Sequence, residues 1–434
     1  MKPTLRILAV PNEDGFGPSA LLSYVVKELL AQQPDSHATI WNRSRADYNR
    51  SLYRDLVAGG RANVEPVNNL IQLAKDASTG EVSIAGTLAS IGDYRAASER
   101  YAVSARPGDF DLVVEFGVPA VARWAAKHDI PCVSICDHAW GRTLEMIFAN
   151  TKEPLTVRQR TQWRSLIAAI RRDESFTRKL FLFPEFISPP LFRVHWQGVA
   201  PRAVVRRFSG VLGGASSWSE QKTREYLGFA RPGRIVIIQG GDTPAWDAML
   251  QRLVPAFLDA STKLEAQRLN VAIYVPRRIA AHSAIARLSD PAVARRCPRV
   301  RAFAPVPGGT TQELFPHVNL LVTRAGGGTV NDAIACRTPF VCVHERSQSQ
   351  VEATLATCVR HGLTRVVDGE ALEADPLRAI LAEVSRARDN RRMALAMKAI
   401  SNHAERELVR EILRGFMAQR ISSGVCRRTP RPSA

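Results

Sequence analysis

The sequence lacks the cysteine spacing that would indicate a disulfide framework or a zinc site. Its seven cysteines are an odd number, and they form neither a CxxC pair nor a cluster with histidine. Small secreted domains and structural zinc sites both depend on such patterns. We therefore expect a reducing, cytoplasmic setting and no bound metal.

Long apolar runs are also missing. No stretch approaches the roughly 18 consecutive apolar residues that a membrane-spanning helix requires. The N-terminal stretch MKPTLRILAVPNEDG contains one short apolar run, which ends in Pro11 and two acids. A secretory signal would have a longer apolar region and a small-residue cleavage site. We interpret this stretch as a first buried strand.

Acidic residues are comparatively few. The chain has 59 Lys and Arg against 41 Asp and Glu, for a formal net charge of +18. Such an excess raises the anion concentration near a surface. It is compatible with solvated arginine-rich faces, with a phosphate-bearing substrate, or with an anionic membrane. No zinc-finger spacing, RRM-type aromatic motif or basic region with heptads is present, so we expect no nucleic-acid partner.

The length of 434 residues and the hydrophobic content of 45% favour two globular domains. Strand and helix patterns alternate in the first half, which indicates βαβ units on a parallel sheet. Predicted elements are the strands 6–10, 38–41, 112–115 and 132–136 and the helices 18–31 and 119–128. We assign residues 1–212 to this first Rossmann-like domain.

A Gly- and Ser-rich break lies near residues 209–233, and we assign 213–233 to an interdomain linker. The strand–helix pattern then restarts, with strands at 234–239, 270–275 and 300–304 and a helix at 245–258. We assign residues 234–390 to a second Rossmann-like domain. A long helical pattern over roughly 388–417 predicts a C-terminal helix within 391–421 that packs back on the first domain, followed by a basic, disordered tail at 422–434.

The most informative stretch is LLVTRAGGGTVNDAIACRTPFVCVHERSQSQVEA, from Leu320 to Ala353. An apolar strand pattern leads into three glycines, then into a helix pattern that carries Asp332, and finally into a second strand and a polar loop. Glycines between a strand and a helix allow backbone N–H groups to approach a phosphate, and the helix N-terminus adds positive potential. The segment is therefore built like half of a nucleotide site.

This segment resembles the donor-binding signature of GT-B glycosyltransferases. It is most similar to the group of the peptidoglycan N-acetylglucosaminyltransferase and the UDP-glycosyltransferases, with a family 28-like C-terminal domain. The residues that fall on the pattern are Arg324, Gly326, Thr329, Asp332, Pro339 and Gln348. The resemblance implies two doubly wound α/β domains that face each other across a cleft.

The resemblance also implies individual roles. Asp332 would bind the donor ribose, Gly327, Gly328 and Thr329 would lie at the diphosphate, and Gln348 would lie near the ribose or the sugar. Backbone groups near residues 303–305 would make most of the contacts that recognise the nucleobase of the donor.

The chain departs from the family pattern at three positions. Asp332 replaces the usual Glu, Arg337 stands where a Gly often precedes the Pro, and Ser349 occupies the place of a second Gln. Because an Asp side chain is shorter than a Glu side chain, Asp332 must reach further toward the ribose. Its ribose contact is therefore the role that these departures affect most.

A second Gly-rich turn follows the first strand of the second domain, and its residues are Gly240, Gly241, Asp242 and Thr243. In the family the corresponding turn faces the donor diphosphate. The surrounding IIQGGDTPAW also resembles the glycosyltransferase-like half of sugar kinases that act on arabinose. A plain strand–helix loop in which Asp242 or Thr243 caps the helix would explain the same residues.

The stretch Gly15–Ala20 matches GxGxxA, which by itself is weak support for a dinucleotide site. The glycines lie several residues beyond the strand, and the second strand leads into Asn42 instead of the acid that a ribose 2′-OH needs. We therefore reject NAD and expect no cofactor. In the family a Gly-rich loop here lines the acceptor side, which implies that role for Gly15 and Gly17. Gly15 stands where the family often has a catalytic His.

Transfer to an acceptor hydroxyl requires a general base that can reach the cleft. Asp14, in the Gly-rich loop, is one candidate. His138, which follows a strand end beside Asp137, is the other. Glu115, at the end of its strand, is a weaker option. We expect Asp137 and Trp140 to line the acceptor side, and turn or capping roles would also explain these residues.

The segment 157–179 is basic and places Trp163, Leu166, Ile167 and Ile170 on one helical face. A core-packed amphipathic helix with a solvated arginine face explains this pattern. A peripheral contact with the anionic inner face of a membrane is the alternative, which would bring a lipid-linked acceptor to the cleft.

The leading hypothesis from the sequence is a metal-independent glycosyltransferase. It would move a sugar from a nucleotide-diphosphate sugar, with UDP or dTDP, to an unidentified hydroxyl acceptor. A nucleotide-sugar hydrolase or epimerase is one alternative. A non-catalytic module that binds a nucleotide sugar to regulate a partner is another.

Overall fold

The computed structural model describes residues 4–422 with short gaps. The residues left out within that range are 69–70, 77–80, 93, 95–98, 100, 102–105, 107, 215, 217, 241–243, 277–278, 305 and 345–348. The described residues form two parallel α/β lobes, called here the N-lobe and the C-lobe.

The N-lobe is built on a parallel sheet of seven strands. Its strands are β1 (Arg6–Pro11), β2 (His37–Trp41), β3 (Ala62–Glu65), β4 (Leu112–Phe116), β5 (Cys132–Cys136), β6 (Lys179–Leu182) and β7 (Val204–Arg207). Their order in the sheet is β3-β2-β1-β4-β5-β6-β7. Because the order reverses beside β1, the loops after β1 and β4 lie at a switch point, where ligands of such sheets bind.

Helices cover both faces of this sheet. They are α1 (Gly17–Gln32), α2 (Ala46–Leu52), α3 (Arg54–Ala58), α4 (Ile84–Ile91), α5 (Pro119–Lys127), α6 (Trp140–Asn150), α7 (Val157–Glu174) and α8 (Pro190–Val199). A short helix, α9 (Glu220–Tyr226), follows between the two sheets. Strands buried on both faces need continuous apolar runs, and LVVEF in β4 and CVSIC in β5 show them.

The C-lobe sheet has six parallel strands in the order β10-β9-β8-β11-β12-β13. The strands are β8 (Arg234–Gln239), β9 (Leu269–Tyr274), β10 (Val300–Phe303), β11 (Leu320–Thr323), β12 (Phe340–Val343) and β13 (Thr364–Val367). The order again reverses next to the first strand of the sheet. The prediction of two doubly wound parallel domains is therefore confirmed.

The C-lobe helices complete this second α/β unit. They are α10 (Pro244–Asp259), α11 (Ser261–Ala266), α12 (Ser283–Ala286), α13 (Pro291–Arg296), α14 (Gly327–Cys336), α15 (Ser349–Arg360), α16 (Gly369–Ala374), α17 (Pro376–Ser385) and α18 (Ala387–Lys398). Single 3-10 turns lie at Arg287–Ser289, Thr311–Glu313 and Phe315–His317. The last helix, α19 (Ala404–Ser422), packs against α1 of the N-lobe.

One apolar core runs through both lobes. It includes Leu22 and Val26 of α1 on the N-lobe side and Phe315 and Ile334 on the C-lobe side, all fully buried. Apolar burial is the main favourable term in folding, at about 25 cal/mol per Å². The lobes are therefore held together by a continuous apolar interface, and not only by the covalent chain.

The chain crosses between the lobes twice, and the two crossings are hydrogen bonded side by side. The first follows β7, and the second joins α18 to α19. Val211 N–H donates to the carbonyl of Ser401 at 2.9 Å, and His403 N–H donates to the carbonyl of Gly213 at 2.8 Å. The two crossings therefore form one paired connection between the lobes.

The second crossing corrects one prediction. The helical pattern over roughly 388–417 is not one helix, because residues 399–403 separate α18 from α19. His403 has a φ of +61°, and the Asn402 amide donates to the carbonyl of Ala335 at 2.8 Å. The backbone N–H of His403 donates to the first crossing, and the Asn402 side chain donates to α14. These contacts fix a backbone conformation that is not helical, so the helix ends before them.

Helix α7 turns its apolar face inward. Trp163, Leu166, Ile167 and Ile170 are all buried in the outer core of the N-lobe, and the indole N–H of Trp163 donates to the carbonyl of Leu144 at 3.1 Å. The interpretation of a core-packed amphipathic helix therefore describes this face, and a peripheral membrane contact stays a prediction. Within the described residues, no helix is both long enough and apolar enough to span a bilayer.

We predict that Trp163→Ala lowers the free energy of unfolding by about 3–5 kcal/mol, because it leaves a large cavity in a closed core. Arg158→Ala on the exposed side of α7 is the matched control and should change it by less than about 0.5 kcal/mol. Chemical denaturation followed by circular dichroism measures both values. Equal stability of the two variants would show that this face is not part of the core.

Candidate active site

The cleft between the lobes lies at the carboxyl ends of both sheets. Its N-lobe wall consists of Asn12, Asp14, Gly15, Phe16, Gly17, Pro18, Ala20, Tyr48, Asp137 and His138. Its C-lobe wall consists of Gln239, Gly240, Tyr274, Phe303, Thr310, Thr311, Arg324, Gly326, Gly327, Gly328, Thr329, Asp332, Gln350 and Val351. The structure thus brings most of the predicted site residues together around one opening.

A hydrogen-bonded turn shapes the loop after β1. The Asn12 side chain accepts from the N–H of Asp14 at 2.6 Å and donates to the carbonyl of Gly117 at 3.0 Å. Gly15 has a φ of +95°, a conformation that side chains other than glycine rarely adopt. The turn places Asp14 and Gly15 at the cleft and leads directly into α1.

Two helix N-termini meet in the cleft. α1 begins at Gly17, α14 begins at Gly327, and neither helix has a side-chain cap. Gly17 and Gly328 are so close that a Cβ added to Gly328 would lie 2.9 Å from the Gly17 Cα. Because the first N–H groups of a helix have no partner within it, both termini offer donors and positive potential to an anion.

The Gly-rich turn before α14 is strained at one position. Ala325, between β11 and the glycines, has a φ of +40° and is almost completely buried. Positive φ at a residue other than glycine costs energy and is concentrated at functional sites. The turn also brings Arg324 and Thr329 to the cleft wall.

Asp137 and His138, at the end of β5, form a buried pair. His138 Nδ1 lies 2.7 Å from Asp137 Oδ1. Within the described part of the chain, His138 Nε2 has no hydrogen-bond partner and is shielded from solvent. A neutral ring that donates through Nδ1 carries its lone pair on Nε2, which is the arrangement of a general base.

The charges around His138 determine its protonation. Burial alone would lower the pKa of His138, but the charge and hydrogen bond of Asp137, with further contributions from Asp14 and Glu174, raise it above the ordinary value of 6.5. Glu174, at the end of α7, accepts from the N–H of Gly141 at 3.0 Å and pairs with His195 at 2.8 Å. This carboxylate supports the start of α6, directly after the His138 segment.

Two predictions for this region need correction. Trp140 does not line the cleft, because it is buried and its indole N–H donates to the carbonyl of Gly117 at 2.8 Å. The Trp140 and His138 rings form a T-shaped contact with their centroids 4.6 Å apart, so Trp140 packs against the base candidate. Glu115 is also buried and away from the cleft wall, and burial raises the pKa of its carboxyl to about 7.

Asp332 reaches the cleft but is already engaged by neighbouring side chains. Its Oδ2 accepts from the Thr311 hydroxyl at 2.6 Å, and its Oδ1 accepts from the Gln312 amide at 2.9 Å. Burial raises the pKa of Asp332 to about 6, because these bonds and one from Asn331 only partly offset desolvation. A ligand hydroxyl at this acid would join or replace one of these contacts.

The end of the cleft next to β9 and β10 is aromatic. Tyr274 and Phe303 contact each other edge to face at 5.8 Å on the C-lobe side. Phe16 and Tyr48 make a similar contact at 4.9 Å on the N-lobe side, with the Arg45 guanidinium 4.4 Å from the Phe16 ring. The sequence prediction placed the nucleobase only near Phe303. Phe16 lies within the GxGxxA match, Tyr274 ends β9 and Tyr48 lies in α2, and none of the three was predicted as part of the site.

Some predicted donor residues cannot be compared with the structure. Gly241, Asp242, Thr243 and Gln348 lie outside the described residues, whereas Gly240 lines the cleft. Gln350, which the sequence prediction did not assign to the site, also lines the cleft, and its amide nitrogen lies 3.2 Å from Asp137 Oδ2. The polar loop around Gln348 was the one signal that pointed to it.

The cleft has a volume of about 180 Å³. Ligand pockets are commonly about 300–1,000 Å³, so we expect the cleft walls to adjust when a nucleotide-sized ligand enters. Among the described residues, no group of three or more His, Cys, Asp or Glu side chains is arranged to hold a metal ion.

Neither a protein-family model nor a curated protein matches the chain. Solved structures do match it. The glycotransferase of kitacinnamycin is 15% identical with a TM-score of 0.61, and the match covers 95% of this chain and 99% of that one. The glycosyltransferase SsfS6 of Streptomyces sp. SF2575, complexed with thymidine diphosphate, is 14% identical with a TM-score of 0.56, over 94% and 99%.

A plant protein is similar to the same extent. UGT73P12 of Glycyrrhiza uralensis, complexed with glycyrrhetinic acid 3-O-monoglucuronide, is 12% identical with a TM-score of 0.61, over 98% of each chain. At these identities the likeness establishes the fold. The chain has the GT-B fold, with two Rossmann-like lobes across a cleft, and the prediction of this fold class is confirmed.

We predict that Gly328→Ala lowers the free energy of unfolding by about 1–3 kcal/mol, because its Cβ would lie 2.9 Å from the Gly17 Cα in a packed contact. Gly17→Ala adds the same methyl on the other side of the contact, at an ordinary 3.7 Å, and should not lower it, because Ala favours a helix more than Gly does. Chemical denaturation measures both values. Equal stability of the two variants would contradict a close interlobe contact at this point.

Proposed function

We propose that this protein is a glycosyltransferase that moves a sugar from a nucleotide-diphosphate sugar to an acceptor hydroxyl. One observation carries the proposal. A bare helix N-terminus with three glycines, of the kind that binds phosphate, faces an Asp–His pair across a closable cleft. An anion site and a base on opposite lobes suit transfer between two bound molecules.

The donor diphosphate would lie at the start of α14. The backbone N–H groups of Gly327, Gly328 and Thr329, the positive end of the helix and Arg324 would stabilise the charge that develops on the leaving diphosphate. We propose that these groups do so without a divalent cation. The solved structure of the similar SsfS6 contains thymidine diphosphate, which supports a nucleoside diphosphate as the ligand class.

The nucleoside would extend from the diphosphate toward β9 and β10. Asp332 would bind the ribose hydroxyls, since it lies on α14 and lines the same cleft wall as Tyr274 and Phe303. Tyr274 and Phe303 would provide stacking surfaces for the base, which aromatic rings do without strong preference between pyrimidines. These side chains would therefore favour neither uridine nor thymidine.

His138 would act as the general base, and Asp137 would orient it. In the transfer step, the acceptor oxygen forms a bond to the anomeric carbon while the bond from that carbon to the diphosphate oxygen breaks. The acceptor proton moves to His138 Nε2, and the nucleoside diphosphate leaves with the electron pair. Asp14, on the same wall of the cleft, is the other candidate for the proton acceptor.

A nucleotide-sugar hydrolase or epimerase is the second candidate, favoured by one observation. Gly15 occupies the position at which related transferases often carry the catalytic His. Product analysis without an acceptor separates the two, because steady release of nucleoside diphosphate with free sugar indicates hydrolysis. Tight binding without turnover across an acceptor panel would instead favour a non-catalytic binding module.

Calorimetric titration with UDP- and dTDP-sugars tests the donor site. We expect binding below millimolar concentrations, and we expect Asp332→Asn to weaken it about 10- to 100-fold by removing charged hydrogen bonds to the ribose. Asp35→Ala, at an exposed turn after α1, is the control and should bind like the unsubstituted protein. Absence of binding, or equal affinity for Asp332→Asn, would refute the assignment.

The base assignment predicts a pH profile. His138 must be neutral to accept a proton, and its pKa is raised, so kcat should fall as the pH drops through a value above 6.5. His138→Gln should lower kcat by about 10²–10⁴-fold with little change in nucleotide affinity. Asp137→Asn should move the acid limb to lower pH, because the main charge that raises the His138 pKa is gone.

Steady-state rates from pH 5 to 9 measure these effects. Retention of full kcat in His138→Gln would exclude this residue as the base and leave Asp14 to be tested in the same way.

A further inference from the structure

Helix α15 of the C-lobe is attached to the N-lobe next to the base. The Thr354 hydroxyl donates to the carbonyl of Ile187 at 3.2 Å, and the Cys358 thiol donates to the carbonyl of Phe186 at 3.0 Å. Both carbonyls belong to the loop after β6 of the N-lobe. The first turn of α15, with Gln350, is therefore placed on the N-lobe whenever the lobes are closed.

The two oxygens of Asp137 are divided between the lobes. Oδ1 pairs with His138 Nδ1 at 2.7 Å, and Oδ2 lies 3.2 Å from the Gln350 amide nitrogen. Gly327 makes room for this carboxylate, because a Cβ there would lie 2.9 Å from Oδ2. A carboxylate with both oxygens bonded has its plane fixed, whereas one with a single partner can rotate about its last torsion.

We propose that Gln350 of the C-lobe is a positioning residue. It orients Asp137 and thereby aligns His138 for proton abstraction. This inference rests on the proposed function. The base is then complete only in the closed molecule, because one of the groups that fix it comes from the opposite lobe.

The chemical consequence is protection of the donor. In an open molecule that holds a nucleotide sugar, Asp137 lacks its second partner, so the orientation of His138 is less restricted. A poorly aligned base takes a proton from water inefficiently, and hydrolysis of the donor is therefore slow. Closure onto donor and acceptor restores the alignment, and small errors in the geometry of reacting groups reduce rates strongly.

Apart from Asp137, charged groups face His138 from two other parts of the fold, Asp14 in the loop after β1 and Glu174 at the end of α7. The Gln350 side chain on α15, which contacts Asp137, is uncharged. A new negative charge at position 350 would therefore add to an acidic surrounding and favour the protonated ring.

The test compares Gln350→Met, Gln350→Glu and the control Ala356→Glu in the full-length protein. Met keeps the length of the side chain but cannot donate. It should lower kcat about tenfold, while the donor KM and the affinity for nucleoside diphosphate change less than about twofold. Gln350→Glu should shift the acid limb of the rate profile upward by about one pH unit.

Ala356→Glu places the same charge on the exposed side of α15 and should change neither quantity. NMR titration of the His138 imidazole, compared among the unsubstituted protein, Gln350→Glu and Ala356→Glu, gives a second readout that needs no turnover. We expect the titration midpoint to rise only in Gln350→Glu.

A raised donor KM with unchanged kcat in Gln350→Met would overturn the proposal, because Gln350 would then bind the donor itself. Unchanged rates and unchanged imidazole titration in all variants would overturn it as well. If instead no nucleotide sugar is turned over but the titration midpoint moves as expected, the proposed function fails while the coupling across the lobes stands.

Discussion

The close contact between the N-termini of α1 and α14 is the constraint on which the rest of the site depends. Each helix end carries about half a positive charge, so the two repel each other unless an anion lies nearby. Gly328 allows this approach, because a Cβ there would lie 2.9 Å from the Gly17 Cα. Asp14 and Asp137 line the same opening and offset part of the positive potential. A diphosphate beside the two helix ends would compensate it more completely.

The first crossing and the C-lobe wall of the cleft share side chains. The Gln312 amide donates both to Asp332 and to the carbonyl of Leu212 in the first crossing, at 2.9 and 3.0 Å. Asn331, the neighbour of Asp332, accepts from the N–H of Leu212 and donates to its carbonyl. A change in the contacts of Asp332 would therefore be transmitted to the segment that connects the lobes.

The sequence was sufficient for the architecture because strands buried on both faces leave apolar runs that local pattern reveals. The strands that were missed, β3, β6, β7 and β13, are only four residues long. Each of them also carries a charged residue, which interrupts the apolar run that would distinguish a strand from a loop. The break between α18 and α19 was missed for a different reason, since the helical pattern continues and only tertiary contacts interrupt it.

Site residues could be predicted from the sequence where a local motif itself requires a particular backbone geometry. They could not be predicted where the site depends on contacts between segments that are distant in the sequence. The glycines after β11 follow directly from the backbone geometry that a phosphate requires. Gln350 and Asp137 are 213 residues apart, and nothing in either neighbourhood indicates the other. The same holds for Trp140, whose aromatic character fits a binding wall equally well as a buried support.

The backbone of the loop after β1 limits which residue position 15 can carry. A histidine there would have to adopt a φ of +95°, which an L-residue rarely does. The loop after β5 supplies both members of the Asp137–His138 pair from consecutive residues. Because adjacent side chains on one short loop have limited freedom to face each other, such a pair needs outside support. Trp140 packs against the His138 ring, Glu174 of α7 accepts from the N–H of Gly141 in α6, and the Gln350 amide of the C-lobe lies 3.2 Å from Asp137.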